Sequence, residues 1–422
     1  MSSCSAADVI NGGGTVLHGT AGFASCGNYG QSPSNIERDY ERWQKHLRKT
    51  TGLTIEIYWA NILLQDPDNP AAGPTYTPVP FLLPHDFFAC LWNFEAAWNC
   101  SILGNEGTFQ IMEYWRHVCE LPWFALHPAS RRTAEQLSKT IPFGLHGDDV
   151  AAFKSSPKFK ILAITCNSVF AHLQGSYLSR LPFVMMMYYL MVPDETLNQI
   201  WEVLVWSFDC LEEGTWPFRG HKKQKFTPKD GYRYQLMGQD LAGGHCGTFV
   251  QMRGDAKFYY EVFRWNSCHT LNCCHRCSAS KVDPAVPFTE VVDAAWTATI
   301  RSHADFEEHC KVTFWTNLLE LRGLLICRVA QDSLHGLNLG PAAIFTASCL
   351  WYMCLNTRSR ANNIPQRLKA YWERFRHWQS DNKVIGVSVP IFDRGMLAKT
   401  KNINTTCPEF KIKAYQVRLV AV

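Results

Sequence analysis

Residues 139–148 read Lys-Thr-Ile-Pro-Phe-Gly-Leu-His-Gly-Asp, an apolar run that reads as a strand ending at Asp148. Apolar stretches at 159–170 and 183–192 predict a second and a third strand. Residues 194–213 place Leu197, Ile200, Trp201, Leu204, Val205 and Phe208 at helical spacing, with Asp194 as the predicted N-cap and Gly214 as the stop. After a polar loop, residues 247–253 predict a fourth strand that leads into Asp255 and an amphipathic helix over 256–265.

Three strands, a helix and a strand is the order of an α/β domain with a ribonuclease H-like mixed sheet. In that fold the ends of the first and fourth strands lie side by side, so Asp148 and Asp255 are expected to face one metal pair.

Upstream, residues 1–34 are rich in Gly, Ser, Ala and Cys and are expected to be a disordered leader. Gly12-Gly13-Gly14 lacks the Lys-Ser/Thr of a phosphate loop. A helical pattern covers 36–48, and 54–64 fits a strand or a helix. The Pro/Gly-rich stretch 66–80 reads as a loop, and helices are expected near 84–99 and 108–120. These segments make 35–135 a mainly helical N-terminal region, ahead of a core at 139–265. A Cys/His-containing helical insertion is expected at 266–400 and a last core segment at 401–422.

The 422 residues are 46% hydrophobic and 18% charged, enough to bury one large core or several smaller ones. The 15 Trp read as core packing. A net charge of +4 gives no general basic field, so any contact with nucleic acid must come from local patches. No basic start and apolar stretch of a signal peptide precedes the 17 Cys, so the thiols are expected reduced, as buried small hydrophobes or metal ligands. The longest apolar run, 181–192, is too short for a bilayer and carries Pro182; no membrane segment is expected.

Two-metal phosphodiester chemistry needs carboxylates that set Mg²⁺ or Mn²⁺ ions about 3.5–4 Å apart. Gly147 and Gly254 precede the two Asp residues, and a missing Cβ there would admit a metal or phosphate; the alternative is a pair of ordinary turns. Cys274-His275-Arg276-Cys277 is a single CxxC, and Asp332-Ser333-Leu334-His335 offers the second ligand pair that a structural Zn²⁺ requires. On a helix, Asp332 and His335 would share a face. Cys268, His269 and Cys273 compete as ligands, and inert buried cysteines or a redox pair are the other readings. Arg219, Lys222, Lys223 and Lys225 form a basic loop, and 358–376 interleaves six Lys/Arg with Tyr371, Trp372 and Phe375. Both suit phosphates; the alternative is a solvated loop and an ordinary amphipathic helix.

From about 140 to the end, the chain resembles the transposases of CACTA (En/Spm-like) cut-and-paste DNA transposons. The resemblance rests on His146-Gly147-Asp148-Asp149 followed by Phe153-Lys154, on Gly254-Asp255 followed by Cys274 and Cys277, and on Asp332-Ser333-Leu334-His335 followed by Leu339-Gly340. It implies a ribonuclease H-like Asp-Asp-Glu core in which Asp148 and Asp255 hold the catalytic metals. It also implies a structural zinc on Cys274, Cys277, Asp332 and His335. Transposon ends and target DNA are the implied partners, in the nucleus, and a homo-oligomer is compatible with it.

The sequence departs from the family at the third acid. Lys413-Ala414-Tyr415-Gln416-Val417-Arg418 places Gln416 where the family has Glu. A unit charge about 4 Å from a divalent ion is worth roughly 8 kcal/mol at an effective dielectric near 20, before solvation offsets it. A quarter of that changes a rate well over tenfold. The expectation is therefore a transposase-derived chain with impaired two-metal strand cleavage and transfer. The alternative is a non-catalytic, zinc-stabilised DNA-binding protein derived from a transposase.

Overall fold

Alternate burial along Tyr58–Leu64 makes that segment a strand, β1, which settles the choice left open at 54–64. A computed structural model of the chain describes residues 55–104, 106–153, 156–171, 180–265, 270–331, 341–356, 363–382 and 392. The predicted leader 1–34 and helix 36–48 lie outside the described residues, as do Cys268, His269, Asp332, His335, Gln416 and the segment 401–422.

The stretch read as a loop over 66–80 contains a strand, β2 (Thr75–Phe81), antiparallel to β1. Pro78 stands opposite Asn61 and Pro80 opposite Trp59. The two prolines share one parity, so the N–H groups they lack would have pointed away from β1. The next residue of that parity, Leu82, does point its N–H outward, to the carbonyl of Phe183 at 3.0 Å. Proline was thus compatible with an edge strand. Helices α1 (Pro84–Trp92) and α2 (Thr108–Val118) follow, so a β-hairpin opens a region whose sequence reads as mainly helical.

Three long strands come next: β3 (Thr140–Phe153), β4 (Ser156–Ser168) and β5 (Leu181–Met187). They form an antiparallel meander. Asp148 does not close β3; it lies inside the strand opposite Ala163, and pairing continues to Phe153. The Gly147-Asp148 step does not break the strand because an aromatic ring fills the glycine's missing side chain, as described below.

Helix α3 (Glu195–Glu213) buries Leu197, Ile200, Trp201, Leu204, Val205 and Phe208, the face its spacing predicts. Gly214 ends it in the left-handed conformation, its N–H bonded to the carbonyl of Cys210. Asp194 makes no side-chain cap; at φ 67° it pairs with Arg264 instead. Strand β6 (Cys246–Gly254) leads through Asp255 into α4 (Ala256–Phe263). Farther on come α5 (His303–Thr313) and the short β7 (Val329–Gln331).

The sheet order is β5-β4-β3-β6-β7. After the crossover by α3, β6 skips β5 and β4 and enters beside β3. The N–H of Cys246, first in β6, bonds the carbonyl of Lys139, just before β3, at 3.0 Å. Neighbouring strands that begin at the same end run parallel, so the protein is mixed α/β with a mixed sheet. Helices α3 and α4 cover one face of it: Leu211 and Phe143 crowd Gly247, and Phe258 crowds Gly147.

By its internal contacts the chain divides into two units, Met1–Met252 with Lys257–Val329, and Arg253–Ala256 with Ala330–Val422. The large core belongs to the first and includes Trp98 and Trp201. In the second, α6 (Pro341–Asn356) and α7 (Ile364–Asp381) pack through Ala347, Leu350, Cys354, Leu368 and Trp372. Among the described residues no helix is long and apolar enough to cross a membrane.

Candidate functional site

Side chains alternate along β3. Phe143, Leu145, Gly147 and Asp149 share the face that α4 covers, whereas His146 and Asp148 point to the other face. Gly147 has a packing role: a Cβ there would run into the ring of Phe258. The expectation that this glycine leaves room for a metal or phosphate is corrected, since its space is taken by the core.

Asp149 is tied down by two lysines. Lys160 Nζ donates to both its carboxylate oxygens, at 3.0 and 2.7 Å, and Lys257 reaches Oδ2 from α4, which covers that face. Burial works to raise the Asp149 pKa, but the two lysines outweigh it and hold the carboxyl below its usual range. The sequence reading named Asp148 and passed over this neighbour, which acts as a structural anchor. Asp148 itself is half-buried beside His146, whose Nδ1 lies 3.2 Å from Arg180 Nη1. Asp255 is half-buried and directly follows β6.

The Cys-rich loop brings thiols together. Cys277 is buried, and its pKa is raised first by burial and further by Cys274 and Cys273 nearby. The N–H of Arg276 donates to Cys274 Sγ at 3.3 Å. His275 stacks on Trp265 with centroids 3.8 Å apart. Burial, helped by Arg276 and Arg301, lowers its pKa to about 4, so it is neutral at pH 7. Two thiols fit half of a zinc site. Among the described residues no three His, Cys, Asp or Glu side chains gather as a metal would need. The proposed partners Asp332 and His335 lie outside them.

The basic loop is an ordered turn. Gly220 N–H bonds the carbonyl of Gln224 at 2.9 Å, and Trp206 Nε1 donates to the carbonyl of Arg219 at 3.1 Å. His221 Nδ1 lies 2.7 Å from the Tyr58 hydroxyl. Lys222 pairs with Glu202, while Arg219, Lys223 and Lys225 are exposed. In the second unit, Arg376 lies over the ring of Trp372 at 5.8 Å and Arg374 over Tyr371 at 5.9 Å.

One buried polar cluster has no counterpart in the sequence reading. Asp86 Oδ2 accepts from Tyr232 Oη at 2.7 Å and from Arg233 Nη2, and His85 Nδ1 lies 2.8 Å from Ser207 Oγ. Residues 147 positions apart carry no spacing signal that would have paired Asp86 with Arg233.

Comparison with protein-family models and with curated proteins returns no match.

Proposed function

We propose that the chain is a transposase-like protein of a cut-and-paste DNA transposon, with a ribonuclease H-like core that is impaired in strand cleavage. One observation carries this reading: β6, which leads into Asp255, enters the sheet beside β3, which carries Asp148. The sheet order β5-β4-β3-β6-β7 is that of three antiparallel strands followed by two on the far side of the first, as in ribonuclease H-like domains. Asp148 lies on the sheet face away from α4, and its half-exposure suits a carboxylate that takes a cation.

Asp148 and Asp255 would hold Mg²⁺ or Mn²⁺. Bound there, the ions would supply activation of a water or 3′-hydroxyl and stabilisation of the leaving oxygen. Cys274 and Cys277, with Asp332 and His335, would hold a structural Zn²⁺. Arg219, Lys223 and Lys225 would contact DNA phosphates, Lys222 contributing where it exchanges Glu202 for phosphate. Such a protein would act in the nucleus, on transposon ends and target DNA.

The test is restoration of the third acid. Wild-type protein with Mn²⁺ and transposon-end duplex is expected to cleave weakly, and Gln416→Glu at least tenfold faster, with Asp148→Asn abolishing the gain. Cleavage at background in Gln416→Glu, with DNA binding intact, would sink the catalytic reading. That result would leave the non-catalytic DNA-binding alternative, which the exposed cations of the 219–225 turn favour. For that reading, alanine at Arg219, Lys223 and Lys225 is expected to flatten the plot of log affinity against log salt by about 0.9 per lost phosphate contact.

A further inference from the structure

A cleft of about 230 Å³ opens between α1 and the segment 232–243, lined by none of the residues assigned above to metal or DNA. Trp92, Trp216 and Tyr232 line it together with Asp86, Asn93 and Asp240. The rings of Trp216 and Tyr232 stand nearly perpendicular, at 89°, with centroids 5.4 Å apart.

Asp86 is the informative wall. Its side chain is 1% exposed, and Tyr232 and Arg233 both bond Oδ2. Oδ1 accepts no hydrogen bond, although His85 Nε2 lies 3.3 Å away. Burial lowers the His85 pKa to about 4, against the pull of Asp86, so this imidazole brings no charge to the carboxylate at pH 7. Oδ1 and Nε2 are both sealed from solvent, so Asp86 offers the cleft no open hydrogen-bond acceptor, and the cleft's aromatic lining and charge decide what can bind.

We propose that this cleft binds an alkylated ammonium head group, such as that of a methylated lysine side chain. Asp86 and Arg233 cancel one another, and exposed Asp240 leaves the mouth negative. The exposed Asp240 carboxylate repels an anion, and a neutral apolar ligand would leave it without a counter-charge. Aromatic faces attract organic cations through the ring quadrupole. The neighbourhood already does so: Arg233 sits over the Tyr232 ring at 4.9 Å and over Tyr58 at 5.3 Å. The volume falls below the roughly 300 Å³ at which ligand pockets begin, so a head group fits and a whole cofactor does not. The inference is independent of the DNA reading.

Titration calorimetry of the full chain tests it with three probes: capped Nε-trimethyllysine amide, choline, and the neutral isostere 3,3-dimethylbutanol. Both ammonium compounds are expected to bind, with the isostere at least tenfold weaker. Trp92→Ala and Asp240→Asn, at half-exposed and exposed positions, are each expected to weaken binding by about 2- to 30-fold. Tighter binding of trimethyllysine assigns a peptide side chain as the source, and tighter binding of choline assigns a choline head group. Absence of binding by both ammonium probes overturns the proposal. So does equal affinity for the isostere, or unchanged affinity in both variants.

Discussion

The ring of Phe258 occupies the space that a side chain on Gly147 would need, so helix α4 lies against β3 without an intervening Cβ. This contact locks the strand immediately before Asp148 against the helix that follows Asp255 in sequence.

Gly147→Ala is therefore expected to destabilise the protein by about 1–3 kcal/mol, the usual range for overpacking. Urea denaturation measures it. Phe258→Leu should recover part of the loss in the double variant, and a lack of coupling between the two changes would show that the contact is not what limits position 147.

Asp149 gains its ion pairs only in the folded state. Its folded pKa is depressed, so its contribution is present above the ordinary carboxyl range near pH 4 and is lost as pH falls through the lowered value. Asp149→Asn should cost about 1 kcal/mol at pH 7, given the partial exposure of both lysines. The difference from wild type should hold from pH 7 to 5 and close as pH falls through the lowered Asp149 pKa. A difference that does not close in acid would mean the contribution is not ionic.

His127 accepts the N–H of Ala129 at Nδ1 (3.1 Å), which leaves Nε2 to donate to the carbonyl of Phe249 at 2.7 Å. Protonation would remove that acceptor, and burial already lowers the pKa to about 4. The unfolded chain, with a His pKa near 6.5, takes up a proton that the folded chain refuses. Stability should thus decline as pH falls from about 6.5 to about 4. His127→Gln, which keeps a donor and an acceptor, should lessen the decline. His85, His221 and His275, lowered to about the same value, contribute to the same decline. An imidazole ¹⁵N spectrum at pH 7 showing Nδ1 protonated would contradict the assignment.

Purified protein is expected to carry about one zinc per chain, with Cys274→Ser and Asp332→Ala each removing it. A folded wild-type protein without zinc would dispose of the proposed metal centre and leave Cys274 and Cys277 as packed thiols.

The order of elements was legible where one principle dominated. Helix α3 announced itself through Leu197, Ile200, Trp201 and Phe208, and Gly214 through its left-handed backbone. Strand β2 was obscured because Pro78 and Pro80 read as loop residues, and only the pairing partner reveals that their missing donors face outward. Asp149 was passed over because its lysines come from β4 and α4, 11 and 108 positions away. Nothing local distinguishes a carboxylate that anchors a helix from one that faces the other side of the same strand. The cluster around Asp86 is assembled from three distant segments, and composition alone has no means of pointing to it.

Pro78 and Pro80 also bear on how the protein behaves in concentrated solution. A hairpin margin with regular donors is a template on which a stranger's backbone can dock and multiply into fibrils. Here that margin offers no N–H at two successive outward positions, and the third, that of Leu82, is already bonded to Phe183. Threonine at both sites would preserve the hairpin and restore that template.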